Sequence, residues 1–163
     1  MKIYHDFFNM IPLTGIDVLS LQSALKLSKD KFGQTMVLDP LRKKAVRTTP
    51  EEIVRQLWIL YFLDVLKINA RLIAVERAFW TNGFSRRFDL VIFDKSTHPI
   101  LLTEFKGPGV RISQSTFDQI ARYNMELHVP YSLISNGSMH YCFRIDDKKK
   151  GFEWQDKLPF SIG

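Results

Sequence analysis

Apolar positions along this chain recur in two rhythms, helical and alternating, and the changeovers between them lay out the elements. Thr49-Pro50-Glu51-Glu52 reads as N-cap, N1, N2 and N3 of a helix. Threonine with glutamate three positions on is a capping box, and proline is favoured at N1. Ile53, Leu57, Leu60 and Tyr61 follow at helical spacing and carry the predicted helix to about Leu66. Arg71–Phe79 alternates as a strand does, and Asn82-Gly83 is a tight-turn signal. Arg87–Phe93 and Pro99–Lys106 are the next two strands, the latter broken by Gly107-Pro108-Gly109. Ser115-Thr116-Phe117-Asp118 caps a second helix, marked by Phe117, Ile120, Tyr123 and Leu127. Pro130–Ser135 and Met139–Ile145 are the fourth and fifth strands, joined through Asn136-Gly137. The segment ahead, residues 1–47, is mixed; it predicts one short helix, Ser20–Leu27, and ends in Arg42-Lys43-Lys44 with Arg47. The core order αβββαβ, with a further strand, predicts an α/β fold: a central mixed sheet flanked by helices.

Composition bounds this picture. The 163 residues suit one domain that buries a core without disulfides or a structural metal. With 45% hydrophobic and 25% charged residues, a disordered chain is excluded. Lys and Arg exceed Asp and Glu by 23 to 17, a net charge of +6 that favours a polyanionic partner, nucleic acid first. One cysteine, Cys142, excludes an internal disulfide and a Cys-rich zinc site and fits a reducing cytoplasm. His5, His98, His128 and His140 show no metal-ligand spacing. The start lacks the apolar run of a signal peptide, and Arg55, Gln56 and Asp64 interrupt the most apolar stretch, so no membrane span is expected.

Acidic residues inside apolar strands are the informative exception, because an unpaired buried charge is costly. Asp89 lies in Arg-Arg-Phe-Asp-Leu-Val-Ile-Phe, and Glu104 and Lys106 in Pro-Ile-Leu-Leu-Thr-Glu-Phe-Lys. Alternation puts Glu104 and Lys106 on one face, and adjacent strands would bring Asp89 opposite Glu104. Two carboxylates suit a hard cation such as Mg²⁺ or Mn²⁺. A bound cation of that kind polarises a phosphodiester and activates water, and a lysine beside it holds that water and offsets developing charge. The alternative is a strand pair in which Lys106 merely neutralises Glu104. The acid–lysine pairs Asp146/Lys148 and Asp147/Lys149 lie in a charged run and read as solvated surface.

Gln119 and Tyr123, four apart, share one face of the second helix. With Thr103-Glu104-Phe105-Lys106, this pattern resembles the PD-(D/E)XK phosphodiesterase superfamily, in its members with an added Gln-x-x-x-Tyr motif. The longer text is similar to one family, the N-terminal nuclease domain of type I restriction enzyme R subunits. The matching stretches are Asp39-Pro40-Leu41-Arg42-Lys43, Arg47-Thr48-Thr49-Pro50-Glu51-Glu52-Ile53-Val54-Arg55-Gln56, Arg87-Phe88-Asp89, Glu104-Phe105-Lys106-Gly107-Pro108, Gln119–Asn124 and Ser135-Asn136-Gly137. They follow in order over residues 39–145. The resemblance implies a restriction-endonuclease-like fold and Mg²⁺- or Mn²⁺-dependent DNA cleavage. Carried over by position, Asp89 and Glu104 become metal ligands and Lys106 the residue that positions or activates water. Gln119 and Tyr123 orient the site or touch the nucleic acid backbone. Glu52 matches an extra acidic residue, although its place in the capping box explains it as well; Glu76 is a weaker candidate. Phe105 stands where the family has a small residue and is expected to pack away from the site, and Gly107 stands where alanine is frequent.

On this reading the chain is one domain, residues 1–163. Residues 1–47 precede a nuclease-like core at 48–145, and 146–163 form a C-terminal extension, with no room for a helicase motor. Arg86, Arg87, Arg42 and Lys43 are candidate phosphate contacts, whereas Lys148-Lys149-Lys150 reads as a solvated turn. Trp58, Phe62 and Trp80 read as core or its rim, and Cys142 as a buried thiol. Three functions compete: a cytoplasmic DNA phosphodiesterase, acting alone or with a separate restriction or helicase subunit; an idle DNA-binding or scaffold domain of the same fold; and a protein-interaction domain basic by chance.

Overall fold

The computed structural model describes residues 10–146 and 151–160. His5 and the Lys148–Lys150 run therefore lie outside the described residues. The order of elements is β1 (Leu27–Lys29), β2 (Thr35–Asp39), β3 (Lys44–Arg47), α1 (Pro50–Leu60), β4 (Ile73–Thr81), β5 (Phe84–Phe93), β6 (Pro99–Phe105), α2 (Gln114–Leu127), β7 (Tyr131–Ser135), β8 (His140–Asp146) and β9 (Gly151–Gln155). Strands β4 to β9 form one six-stranded sheet in sequence order. Only β6 and β7 run parallel, with α2 as their crossover; the other pairs are antiparallel.

The two helices cover opposite faces. From α1, Val54, Leu57, Trp58 and Ile59 pack with Leu90, Ile92, Leu101, Phe105 and Leu133. From α2, Phe117, Ile120 and Ala121 pack with Phe88, Val91, Leu102, Ile134 and Phe143. Alternation along β6 and β7 separates Leu101 and Leu133 from Leu102 and Ile134 and so divides the two cores. The result is the expected α/β architecture, consistent with a restriction-endonuclease-like fold.

Four local outcomes differ from the sequence expectation. Helix α1 ends at Leu60 and continues as a π-helical turn over Tyr61–Val65, rather than running as α-helix to Leu66. The expected helix Ser20–Leu27 is a short 3₁₀ turn at Leu19–Ala24. Residues 27–47 then form an antiparallel three-stranded sheet, β1–β2–β3. Gly151–Gln155, within the 146–163 segment, supplies strand β9 against β8. Among the described residues, no helix is long and apolar enough to cross a membrane.

One close approach fixes how α1 meets the site. A Cβ on Gly107 would stand 2.9 Å from Pro50 Cβ, at the first turn of the helix. Neither backbone-tethered atom can swing aside, so Gly107→Ala should cost about 1–3 kcal/mol. The measurement is the urea midpoint at unchanged m-value. An unaltered midpoint would show that the helix start yields freely.

Candidate active site

The site lies where β5 and β6 part company. Their register pairs Leu90 with Thr103, and the next position along brings Asp89 beside Glu104. The Phe105 N–H donates to Asp89 Oδ2 at 2.6 Å. Phe105 itself turns away and is buried, its ring 6.2 Å from Trp58 in a stacked arrangement. That leaves Glu104 and Lys106, the residues on either side of it, on the opposite face of the strand.

The β4–β5 ladder is interrupted at the same level. Val75 pairs with Leu90 and Arg77 with Phe88, but Glu76 and Asp89 drop out between them. Glu76 has a left-handed backbone, φ +50°, inside a strand, a conformation that costs a non-glycine residue roughly 1–3 kcal/mol and concentrates at functional sites. The faces exchange there. Val75 and Leu90 pack on the α1 side, whereas Phe79 and Phe88 pack on the α2 side.

Around these acids two ion clusters form. In the first, Arg55 of α1 places Nη1 2.6 Å from Glu52 Oε2 and Nη2 2.6 Å from Asp89 Oδ1. Arg42 places Nη2 2.7 Å from Glu52 Oε1, Nη1 3.2 Å from Glu76 and Nε 2.6 Å from Asp39. Gln56 donates to both Asp39 and Glu52 at 2.8 Å. Burial opposes ionisation of Asp39, yet the Arg42 amide, Gln56 and the Arg42 guanidinium hold its carboxyl below the usual range. Burial likewise opposes the charge on Arg55, and Asp89 first, then Glu52 and Glu76, keep it cationic.

In the second cluster, Glu104 Oε1 lies 3.6 Å from Lys106 Nζ and 3.5 Å from Arg86 Nη2. The Arg86 guanidinium also sits over the Tyr123 ring, 4.7 Å from its centroid. Burial first, and the charge of Asp89 second, push the Glu104 carboxyl above its ordinary value; Arg86 and Lys106 only partly offset this. The Glu104 carboxyl is thus buried next to a second carboxylate, even with Arg86 and Lys106 beside it.

The structure brings Asp89, Glu104 and Lys106 together and sets Tyr123 against them through Arg86. Gln119 lies one turn before Tyr123 on α2, half-buried and outside both ion clusters. The Glu52 carboxylate sits in the Arg42–Arg55 cluster, while Thr49 Oγ1 caps the helix by accepting the Glu52 N–H at 3.1 Å. Arg42 faces inward among three carboxylates, and Lys43 and Arg87 are exposed. Sequence reasoning passed over Arg55, Gln56 and Asp39 as functional residues. Arg55 and Gln56 stood in the sequence only as polar groups within the Arg47–Gln56 stretch, and Asp39 as the first residue of Asp39–Lys43.

The donor set fits a hard divalent cation. Two carboxylates meet, Glu104 buried beside the charge of Asp89, and an ion such as Mg²⁺ keeps several waters beyond one or two carboxylates. Among the described residues, no group of three or more His, Cys, Asp or Glu side chains is arranged to hold a metal. Water, backbone carbonyls or substrate would therefore complete the shell.

No curated protein matches the chain. The family model for the type I restriction enzyme R protein N terminus matches residues 50–159, from the first residue of α1 to beyond β9. That span holds Glu52, Asp89, Glu104, Lys106, Gln119 and Tyr123, and the chain belongs to the type I restriction enzyme R protein N-terminal family.

Proposed function

We propose that this domain hydrolyses DNA phosphodiester bonds with Mg²⁺ or Mn²⁺ held by Asp89 and Glu104. The observation that carries the reading is the meeting of Asp89 and Glu104, with Lys106 Nζ 3.6 Å from Glu104, at the point where β6 stops pairing with β5. A cation held there would supply a more acidic bound water and polarise a phosphate oxygen. Lys106 holds the attacking water by donating to its oxygen and offsets charge developing on the phosphate. The Phe105 amide and Arg55 fix the Asp89 carboxylate from two sides, so that it keeps one orientation. Arg86, whose side chain is partly exposed beside Glu104, offers a charged donor to a non-bridging phosphate oxygen. Tyr123 supports that guanidinium from below, and Gln119 contributes from the same helix face. DNA is the partner, with a separate restriction or helicase subunit as a second.

One observation favours an idle DNA-binding domain instead. Arg55 and the Phe105 amide already engage both oxygens of Asp89 at 2.6 Å, so the guanidinium would stand in permanently for the cation. Nicking of supercoiled plasmid decides between them. Metal-dependent nicking by the pure chain, lost in Lys106→Ala, is the expected result. No nicking with Mg²⁺ or Mn²⁺, while salt-sensitive DNA binding persists, would overturn catalysis and leave the binding domain.

A further inference from the structure

Strands β4 and β5 run well past the rest of the sheet. β6 pairs with β5 only from Leu90 onward, so Arg77–Thr81 and Phe84–Phe88 pair with each other alone. Five residues of strand span roughly 17 Å. The ribbon begins at the Glu76–Asp89 interruption and so projects from the edge of the candidate active site. Its turn is closed by Asn82 and Gly83, both at positive φ, +46° and +79°. This is the type I′ geometry that sets two strands in register.

The ribbon carries two strongly exposed aromatic rings. Trp80 is 78% exposed and Phe84 75% exposed. This corrects the sequence expectation that Trp80 belongs to the core or its rim; Trp58 and Phe62 do. Direct pairs share a face, and Trp80 pairs with Ser85 whereas Phe84 pairs with Thr81. The two rings therefore flank the tip from opposite faces. Residues 77–88 hold Arg77, Arg86 and Arg87 and no acid. A two-stranded ribbon alone is marginally stable in water, and large exposed aromatics mark a contact surface. Aromatic rings among arginines are the combination that single-stranded nucleic acid takes: bases stack on rings while cations track phosphates.

We propose that the β4–β5 ribbon is a finger that grips unpaired or unstacked DNA next to the scissile site. Trp80 and Phe84 stack on bases, Arg77 and Arg87 meet flanking phosphates, and Arg86 joins the finger to Glu104 at its root. The proposal rests on DNA being the partner of the domain. It does not depend on the domain being able to cut.

Intrinsic fluorescence tests it on the full chain in EDTA, where no cleavage occurs. Trp58 is buried and the Trp154 indole N–H is also buried, so quenching by added strand reports Trp80. The probes are an oligo-dT of about 15 nucleotides and a duplex of equal length. Expected are quenching by oligo-dT and tighter binding of it than of the duplex. Trp80→Ala and Phe84→Ala should each weaken binding about 5- to 150-fold, the range for one lost base stack. Trp80→Phe should keep most of the affinity. Arg77→Ala and Arg87→Ala should each flatten the salt slope by about 0.7. Unchanged Trp80 emission at saturating strand would overturn the finger, as would equal affinity in Trp80→Ala and wild type. So would tip variants that alter only self-association. Because the assay contains no metal, a finger that binds in a chain that never nicks DNA separates this proposal from the catalytic one.

Discussion

Arg55→Ala is expected to cost the fold about 3–5 kcal/mol, the range for removing one partner of a buried pair and stranding the other. The Arg55 side chain is only 9% exposed and bridges Glu52 on its own helix to Asp89 on β5. The first cluster holds four carboxylates, Asp39, Glu52, Glu76 and Asp89, against two guanidiniums. Its formal charge is therefore two minus two times two, or −2, and the substitution deepens it to −3 around a helix that has lost its tie to the sheet. Arg55→Lys should recover little, because an ammonium is a point donor and cannot span two carboxylates as a planar fork does. The urea midpoint gives the loss. A cycle with Glu52→Gln separates the pair's coupling from the cost of an unpaired acid. A loss below about 1 kcal/mol would place the bridge with surface ion pairs, whose contribution is of that size.

That cluster also shows where sequence reasoning stops. Thr49-Pro50-Glu51-Glu52 forecast the start of α1, and the Thr49 Oγ1 bond to the Glu52 amide is there. Capping is a local event, legible within four residues. Asp89 and Glu104 came together because strand alternation and antiparallel register are simple rules, and Phe105 turned into the core by the same alternation. The Asp39–Arg42–Glu52–Arg55–Glu76–Asp89 cluster joins residues up to 34 positions apart within single contacts. No periodicity encodes such pairs; they exist only once α1, the β2–β3 turn and β4–β5 are placed. The small sheet β1–β3 escaped notice because every β1 residue is exposed, β3 is almost wholly so, and β2 buries only Val37 and the polar Asp39; that leaves almost no apolar alternation to read. Trp80 was misplaced because hydrophobicity alone does not tell a core position from the tip of a ribbon that outruns its sheet.

Glu104→Gln is expected to move stability and activity in opposite directions. Burial first and Asp89 second raise the Glu104 carboxyl above its ordinary value in the folded chain. A folded value above the unfolded one means that the native state binds the proton more tightly, so the ionised group is a net cost at neutral pH. That cost is relieved as pH falls through the raised value. The neutral, near-isosteric glutamine should therefore raise Tm at pH 7, with a gain that shrinks on acidification into the carboxylate range. Nicking should meanwhile be largely lost, because one of the two proposed cation ligands is gone. Cation binding links the two readouts. At a hundred times its Kd, a divalent ion should stabilise the wild-type chain by about 2.7 kcal/mol, seen as a rise in Tm on adding Mn²⁺ and its reversal by EDTA. The glutamine variant should show no such rise. A residue kept at a cost to the fold is one whose charge serves a ligand. A Glu104→Gln chain that is less stable at pH 7 and nicks DNA at the wild-type rate would instead make Glu104 the structural partner of Arg86 and Lys106.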